Sequence, residues 1–303
     1  MSTTPTITRE QLAERLATPD APLIVDALPA EEILSGHLPG AVNACVFNMT
    51  FLEDVAEFAP DRSAELVVYG VGPHDMASST AAEKLAAAGY TRVIDFRGGL
   101  EDWLASGGLI DCDPARDQRP PIPTDGIHQV HVEKSVIEWT GRNLTGAHSG
   151  TIRLSEGEIE VAGGLPLRGK FILDMQSIRN AELEDSEMHQ LLLTHLMSED
   201  FFEVHTFPTA EFRLSKFTPM QDAKPGNPNF EIVGELEMKG VSHEIVFPAI
   251  LAPTPDGLLA ADAHLDIDRT RWNVVYGSGK FYAKLGKHLV NDQVSLSLKL
   301  VTH

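Results

Sequence analysis

The chain changes its hydrophobic rhythm near its middle. In the first hundred residues short apolar runs alternate with helical patterns, as a parallel α/β sheet requires. Residues 23–26, 66–69 and 93–96 read as buried strands. Between the last two, an alanine-rich run over 77–88 ends at Gly89, where a helix stop is expected, so the stretch predicts a βαβ crossover. From residue 127 the period becomes two. Phe212 and Leu214 alternate with Glu211 and Arg213, and Leu296, Leu298 and Leu300 alternate with Ser295, Ser297 and Lys299. Similar runs cover 131–140, 150–154, 169–175, 230–238, 243–251 and 258–267. One strong helical interruption, 186–197, breaks the series and is followed by Phe201 and Phe202. About eight half-buried antiparallel strands predict a closed barrel or a sandwich.

Between the two rhythms, residues 111–126 hold four aspartates, two arginines and the prolines Pro114, Pro120, Pro121 and Pro123. Such a composition favours an extended spacer. The expected division is therefore a domain over 1–108, a linker over 109–126 and a second domain over 127–303, consistent with a chain of 303 residues.

Charge narrows the partners. The formal net charge is -20, with net -10 over residues 1–108 and net -8 over 127–303, and no lysine- or arginine-rich run offers a local exception. A phosphate backbone would be repelled, so no nucleic-acid partner is expected. The first ten residues lack a basic region followed by an apolar stretch, and nowhere do 18 consecutive apolar residues occur. A cytoplasmic protein without a transmembrane segment is the expectation. The two cysteines, Cys45 and Cys112, lie far apart with no CxxC spacing, which argues against a disulfide framework or a structural zinc site.

Within the first domain, residues 23–27, Glu32 and the segment Gly36-His-Leu-Pro-Gly-Ala-Val-Asn43, followed by Val67 to Tyr69, Ala88-Gly-Tyr90, Val93, Gly98-Gly99, Trp103 and Gly107, resemble a rhodanese domain across about residues 7 to 108. The resemblance implies an α/β fold and a catalytic cysteine directly after the strand at 67–69. That position is Gly70, and the loop Gly70-Val-Gly-Pro-His-Asp-Met76 carries neither a thiol nor the arginine many members place near its end. Gly70, Gly72, His74, Asp75 and Met76 thus form a degenerate loop with no catalytic residue expected. A Gly70→Cys variant gaining persulfide would confirm the assignment. Cys45 reads as a small buried hydrophobe, Cys112 sits between Asp111 and Asp113, where negative charge raises a thiol's pKa, and His74 reads as a solvated loop side chain with an acid–base role as the alternative.

In the second domain, Ser135 to Arg142, Gly146 to Ile152, Gly169 to Ile178, His195 to Val204, Phe207 to Phe212, Val233 to Val241 and Asp268 to Asn273 look like the YceI family, in order, across about residues 128 to 302. The resemblance implies a lipocalin-like antiparallel barrel, which in some members holds a long isoprenoid or other amphiphile. The alternation nominates Phe171, Leu173 and Met175, Phe212 and Leu214, and Ile232, Leu236 and Met238 for the inward face, with Phe201 and Phe202 near its mouth. These are candidate ligand contacts, and a barrel filled by its own side chains is the alternative. Trp139 reads as a packing anchor and Asp268-Arg269 as a structural ion pair.

The histidines of this half, among them His131, His148, His189, His195, His205, His243, His264 and His288, form no HxH or HExxH motif, and Gly98-Gly99 and Gly277-Ser-Gly279 lack the strand–GxGxxG–helix context. No metal and no cofactor are expected. The composite reading is a binding protein whose barrel holds a hydrophobic or amphiphilic small molecule, with an inactive rhodanese-like domain for docking or regulation. A homodimer and a protein partner for the rhodanese-like domain stay open. The alternatives are a sulfur-transfer or hydrolytic enzyme using Cys45, His74 or a barrel site, and a structural module with a filled barrel.

Overall fold

A two-residue period divides the strands of the N-terminal unit between two apolar layers. The computed structural model describes residues 4–30, 36–111, 122–181, 187–254 and 256–303, and the chain divides into units Met1–Arg119 and Pro120–His303. In the first unit, β1 (Leu23–Asp26), β2 (Val42–Asn43), β3 (Glu65–Tyr69) and β4 (Arg92–Phe96) form a parallel sheet in the order β2-β1-β3-β4. Val25, Leu66, Val68 and Val93 pack with residues of α2 (Phe51–Phe58) and α3 (Ala77–Ala87). Ile24, Val67, Tyr69 and Phe96 pack on the other face with Leu12 of α1 (Arg9–Leu16) and Trp103 of α4 (Gly99–Ala105). Helices on both faces explain why β3 is a continuous apolar run without polar alternation.

Asp26 is fully buried in this unit. Its carboxylate accepts the Tyr69 hydroxyl at 2.5 Å and the Leu28 amide at 2.9 Å, and the Tyr69 oxygen accepts the Leu38 amide at 3.2 Å. Burial first, and then the adjacent Asp26 charge, raise the Tyr69 pKa above the ordinary tyrosine range. The group is a structural clasp between β1, β3 and the segment at Leu38.

The second unit is a closed antiparallel barrel. Its strands are β6 (Val136–Asn143), β7 (Ala147–Ala162), β8 (Leu165–Asn180), β9 (Thr209–Pro219), β10 (Phe230–Met238), β11 (Val241–Pro253), β12 (Leu259–Asp268) and β13 (Val290–Val301), in the order β7-β6-β13-β12-β11-β10-β9-β8, with β7 pairing β8 to close the ring. The short β5 (Gly126–Gln129) adds outside it, along the second half of β7. Helix α5 (Glu187–Met197) interrupts the strand series between β8 and β9. Closure leaves the eight strands without a free edge.

Several boundaries differ from the sequence pattern. The strand expected from residue 131 begins at Val136, because 132–134 form a turn. Strands β7 and β8 reach 16 residues each, well past the expected 150–154 and 169–175. Pairing slips between Leu154 and Glu156, so the buried positions change from Ile152 and Leu154 to Gly157, Ile159 and Val161. A bulge that switches parity ends the visible alternation without ending the strand. Most of the expected linker, residues 112–121, and Glu32 and Cys112 lie outside the described residues.

Candidate functional site

Two apolar clusters stack along the barrel. One gathers Ile137, Leu154, Phe171, Leu214, Ile232, Phe247 and Ala263, and the other Trp139, Met175, Phe201, Leu236, Met238 and Trp272. Between their side chains lies a cavity of about 390 Å³, within the size range of small-molecule sites. The interior is therefore only partly filled. Rings of Phe171 and Phe212 lie 6.1 Å apart and those of Phe212 and Phe247 5.8 Å apart along its wall. Gly234, inward-facing on β10, leaves room for the Phe212 ring, which a Cβ at that position would strike.

All ten nominated side chains border this space: Phe171, Leu173 and Met175 on β8, Phe212 and Leu214 on β9, Ile232, Leu236 and Met238 on β10, and Phe201 and Phe202 after α5. Trp139, read as an anchor, is buried and borders it too. Period two picked out the eight strand positions among them because a closed barrel sends every second side chain inward.

The polar lining was not nominated by the sequence. Arg142 and Asn143 at the end of β6, His148 at the start of β7, His195 on α5, and Tyr276, Lys287, His288 and Asn291 before or at the start of β13 all border the cavity. Gly141 pairs with His148 and Asn143 with Val290, so these segments meet at one end of the barrel and form its mouth. One signal was available: residues 269–291 contain no aspartate or glutamate, in a chain with 44 of them.

Arg269 has a different role. It is 2% exposed, and its guanidinium donates to the carbonyls of Val274, Val290 and Asn291 at 2.6–3.1 Å. Its carboxylate neighbour is Asp292, at 3.8 Å, whereas Asp268 pairs with Lys280 at 2.5 Å. The expected Asp268-Arg269 pair is thus replaced by pairs of Arg269 with Asp292 and of Asp268 with Lys280, and Lys280 also lies 3.3 Å from Asp292. Burial foremost pushes the guanidinium pKa below its usual value, opposed by Asp292 and Asp268. The side chain also stacks over Phe201, 5.8 Å from its ring centre, and so ties the loop after β12 to the cavity wall.

In the first unit, the loop at 70–76 closes on itself. Asp75 accepts the Val71 amide and the Ala77 amide, each at 3.1 Å, and donates its own amide to the Gly72 carbonyl at 3.0 Å. The carbonyls of Gly70 and Val71 accept the amides of Leu100 and Glu101 at the start of α4. His74 and Met76 are exposed, while Cys45 is 6% exposed and free. Gly99 is needed here for a close approach: its φ is +60° and a Cβ would lie 2.5 Å from the Gly70 carbonyl oxygen.

Among the described residues, no group of three or more His, Cys, Asp or Glu side chains gathers to hold a metal ion, and no helix is long and apolar enough to cross a membrane. A closed eight-stranded barrel with an apolar interior, attached to a parallel α/β unit, places the chain among two-domain proteins with a lipocalin-like half. The family model of the YceI-like domain matches residues 128–302, over half of the chain, and the chain belongs to that family. A model of the rhodanese-like domain matches residues 8–106.

Among solved structures, BcnA of Burkholderia cenocepacia is 21% identical over 57% of this chain and 99% of its own, with a TM-score of 0.45. A polyisoprenoid binding domain from Saccharophagus degradans, implicated in plant cell wall breakdown, is 13% identical over 58% of this chain and 97% of its own, with a TM-score of 0.43. A rhodanese-like domain from Anabaena is 32% identical over 30% of this chain and 99% of its own, with a TM-score of 0.27. No curated protein matches the chain.

Proposed function

We propose that the barrel binds a hydrophobic or amphiphilic small molecule of isoprenoid or lipid type, and that the rhodanese-like unit serves docking or regulation without sulfur transfer. The observation that carries the reading is the partly empty, apolar barrel interior, open to a polar mouth. Each CH₂ moved into such a space gains about 0.8 kcal/mol, so even part of a long chain gives useful affinity. The 70–76 loop supports the second half of the reading. It has no side chain at Gly70, and the Asp75 carboxylate already takes the amides of Val71 and Ala77. Cys45 is too buried to reach a substrate as a nucleophile.

Gentle purification of the full chain, followed by solvent extraction and mass spectrometry, tests the cargo. An apolar or amphiphilic compound recovered at near-stoichiometric yield is the expected result, and a chain that arrives empty and takes up no hydrophobic probe overturns the reading. Supplying thiosulfate and cyanide tests the other unit, where thiocyanate above the uncatalysed rate would refute inactivity.

A further inference from the structure

The mouth of the barrel holds large apolar side chains out in solvent. Tyr276 and His288 border the cavity from the segment before β13, Asn143 and His148 border it from the β6–β7 connection, and the two segments meet where Asn143 pairs with Val290. Between these residues the chain carries Phe281, 57% exposed, Tyr282, 49% exposed, and Leu144, 88% exposed. None of the three borders the cavity. The aromatic pair sits on anchored backbone. Both amides donate to the carbonyl of the fully buried Ser278 at 3.1 Å, the Val290 amide donates to the Gly277 carbonyl at 2.9 Å, and Lys280 reaches Asp268 and Asp292. Apolar groups clustered in water at a fixed place on a surface mark a site that a partner covers.

Charge and position indicate which partner. Residues 270–290 hold Arg271, Lys280, Lys284 and Lys287 and no aspartate or glutamate. Lys284 and Lys287 are exposed, and among the described residues neither forms an ion pair. Aromatic and aliphatic side chains flanked by lysines suit the headgroup level of a bilayer, where rings enter the interface and ammonium groups reach the lipid phosphates. The patch also stands at the opening of the cavity. An apolar chain passing from a bilayer into the barrel stays out of water only where the opening meets the bilayer, and each CH₂ exposed on the way opposes transfer. We propose that this end of the barrel docks on an anionic lipid bilayer, with Phe281, Tyr282 and Leu144 entering the interface and Lys284 and Lys287 facing the lipid phosphates. This rests on the reading that the barrel takes an apolar chain, and it adds the surface from which the chain is taken up. The net charge of -20 does not prevent contact, since at physiological salt charges beyond a Debye length of about 8 Å are largely screened.

Flotation of the delipidated full chain with vesicles tests it, using phosphatidylcholine alone and phosphatidylcholine mixed with phosphatidylglycerol at physiological salt. The chain is expected to float with the anionic vesicles and to bind the neutral ones roughly tenfold more weakly, as two lysines at the surface allow. The L144S/F281S/Y282S variant is expected to lose about tenfold or more in binding to the anionic vesicles, while its uptake of a neutral fluorescent probe without vesicles matches the parent. The K284Q/K287Q variant is expected to bind both compositions alike. No binding to either vesicle, equal binding of the parent to both, binding that survives the triple substitution, or a preference that survives the double one overturns the docking proposal. Probe uptake by the same chain then leaves the cargo reading standing. A parent that dimerises without vesicles, and that the triple substitution makes monomeric, gives the patch to a second copy and overturns the proposal as well. Vesicle binding by a chain that takes up no probe sinks the cargo reading alone.

Discussion

The Asp75 carboxylate occupies the space into which a side chain on Gly70 would project. Its Oδ2 atom lies closer to an ideal Gly70 Cβ than real contacts allow, and the Ala77 Cβ is 3.1 Å from the same point. The carboxylate is held there by the amides of Val71 and Ala77. In effect the Asp75 carboxylate is an internal anion held by backbone amides.

A thiol placed at Gly70 would therefore meet this carboxylate. Gly70→Cys alone is expected to gain no persulfide from thiosulfate, because Asp75 crowds the thiol and its charge raises the thiol pKa. Gly70→Cys combined with Asp75→Ala removes both obstacles and is expected to carry sulfur. Intact-protein mass spectrometry with and without cyanide reads the outcome. Equal persulfide in the single variant would show that Asp75 moves aside freely.

The cavity offers a way to block binding without dismantling the barrel. Ala263 on β12 is buried among Ile137, Leu214 and Phe247 and borders the open space. Ala263→Phe is expected to lower affinity for an apolar probe by about tenfold or more, which is about 1.4 kcal/mol. The urea midpoint should move by no more than a cost at the low end of about 1–3 kcal/mol for overpacking, since the added ring enters a void. Unchanged affinity would place the bound chain elsewhere.

The barrel's inward face was legible because closure sends alternate residues to the interior, as with Phe212 and Leu214 or Ile232, Leu236 and Met238. The full length of β7 was not, because its bulge at Leu154 to Glu156 transfers burial from even to odd positions. The mouth was hidden for another reason. Arg142, His195 and Lys287 come from three distant segments, and only tertiary structure brings them to one rim. Likewise the glycine at position 70 is visible in the sequence, but the contact of Asp75 with it depends on where the carboxylate oxygens point.

Arg269 is expected to control the order of the loop after β12. Replacing it with methionine keeps the apolar stem over Phe201 but leaves the carbonyls of Val274, Val290 and Asn291 without their donor. Loss of one member of a buried charged network costs about 3–5 kcal/mol. Arg269→Lys should recover only part of this, since an ammonium lacks the planar fork that reaches three acceptors. Denaturant midpoints and cleavage within residues 276–290 by limited proteolysis measure the effect. A methionine variant as stable and as resistant as the parent would show that the loop holds itself.

Asp268 should give this barrel an acid-sensitive tie. Burial by itself would raise its pKa, but hydrogen bonds from Lys280 and from the Thr270 hydroxyl and amide together outweigh it, so the folded-state value lies below the ordinary 3.8. A carboxyl with a depressed folded pKa contributes stability at pH values above its unfolded pKa, and that contribution is lost as pH falls through the folded value. Asp268→Asn keeps an acceptor for the Thr270 amide and removes the charge facing Lys280. The variant is expected to melt below the parent at neutral pH, with the gap narrowing as pH drops past 3.8 and closing once the parent carboxyl is protonated. High salt should narrow the gap at neutral pH as well, because Lys280 is half exposed. Melting curves from neutral pH down to the acid transition decide it, and a gap that stays constant with pH and salt would assign the loss to packing and not to charge.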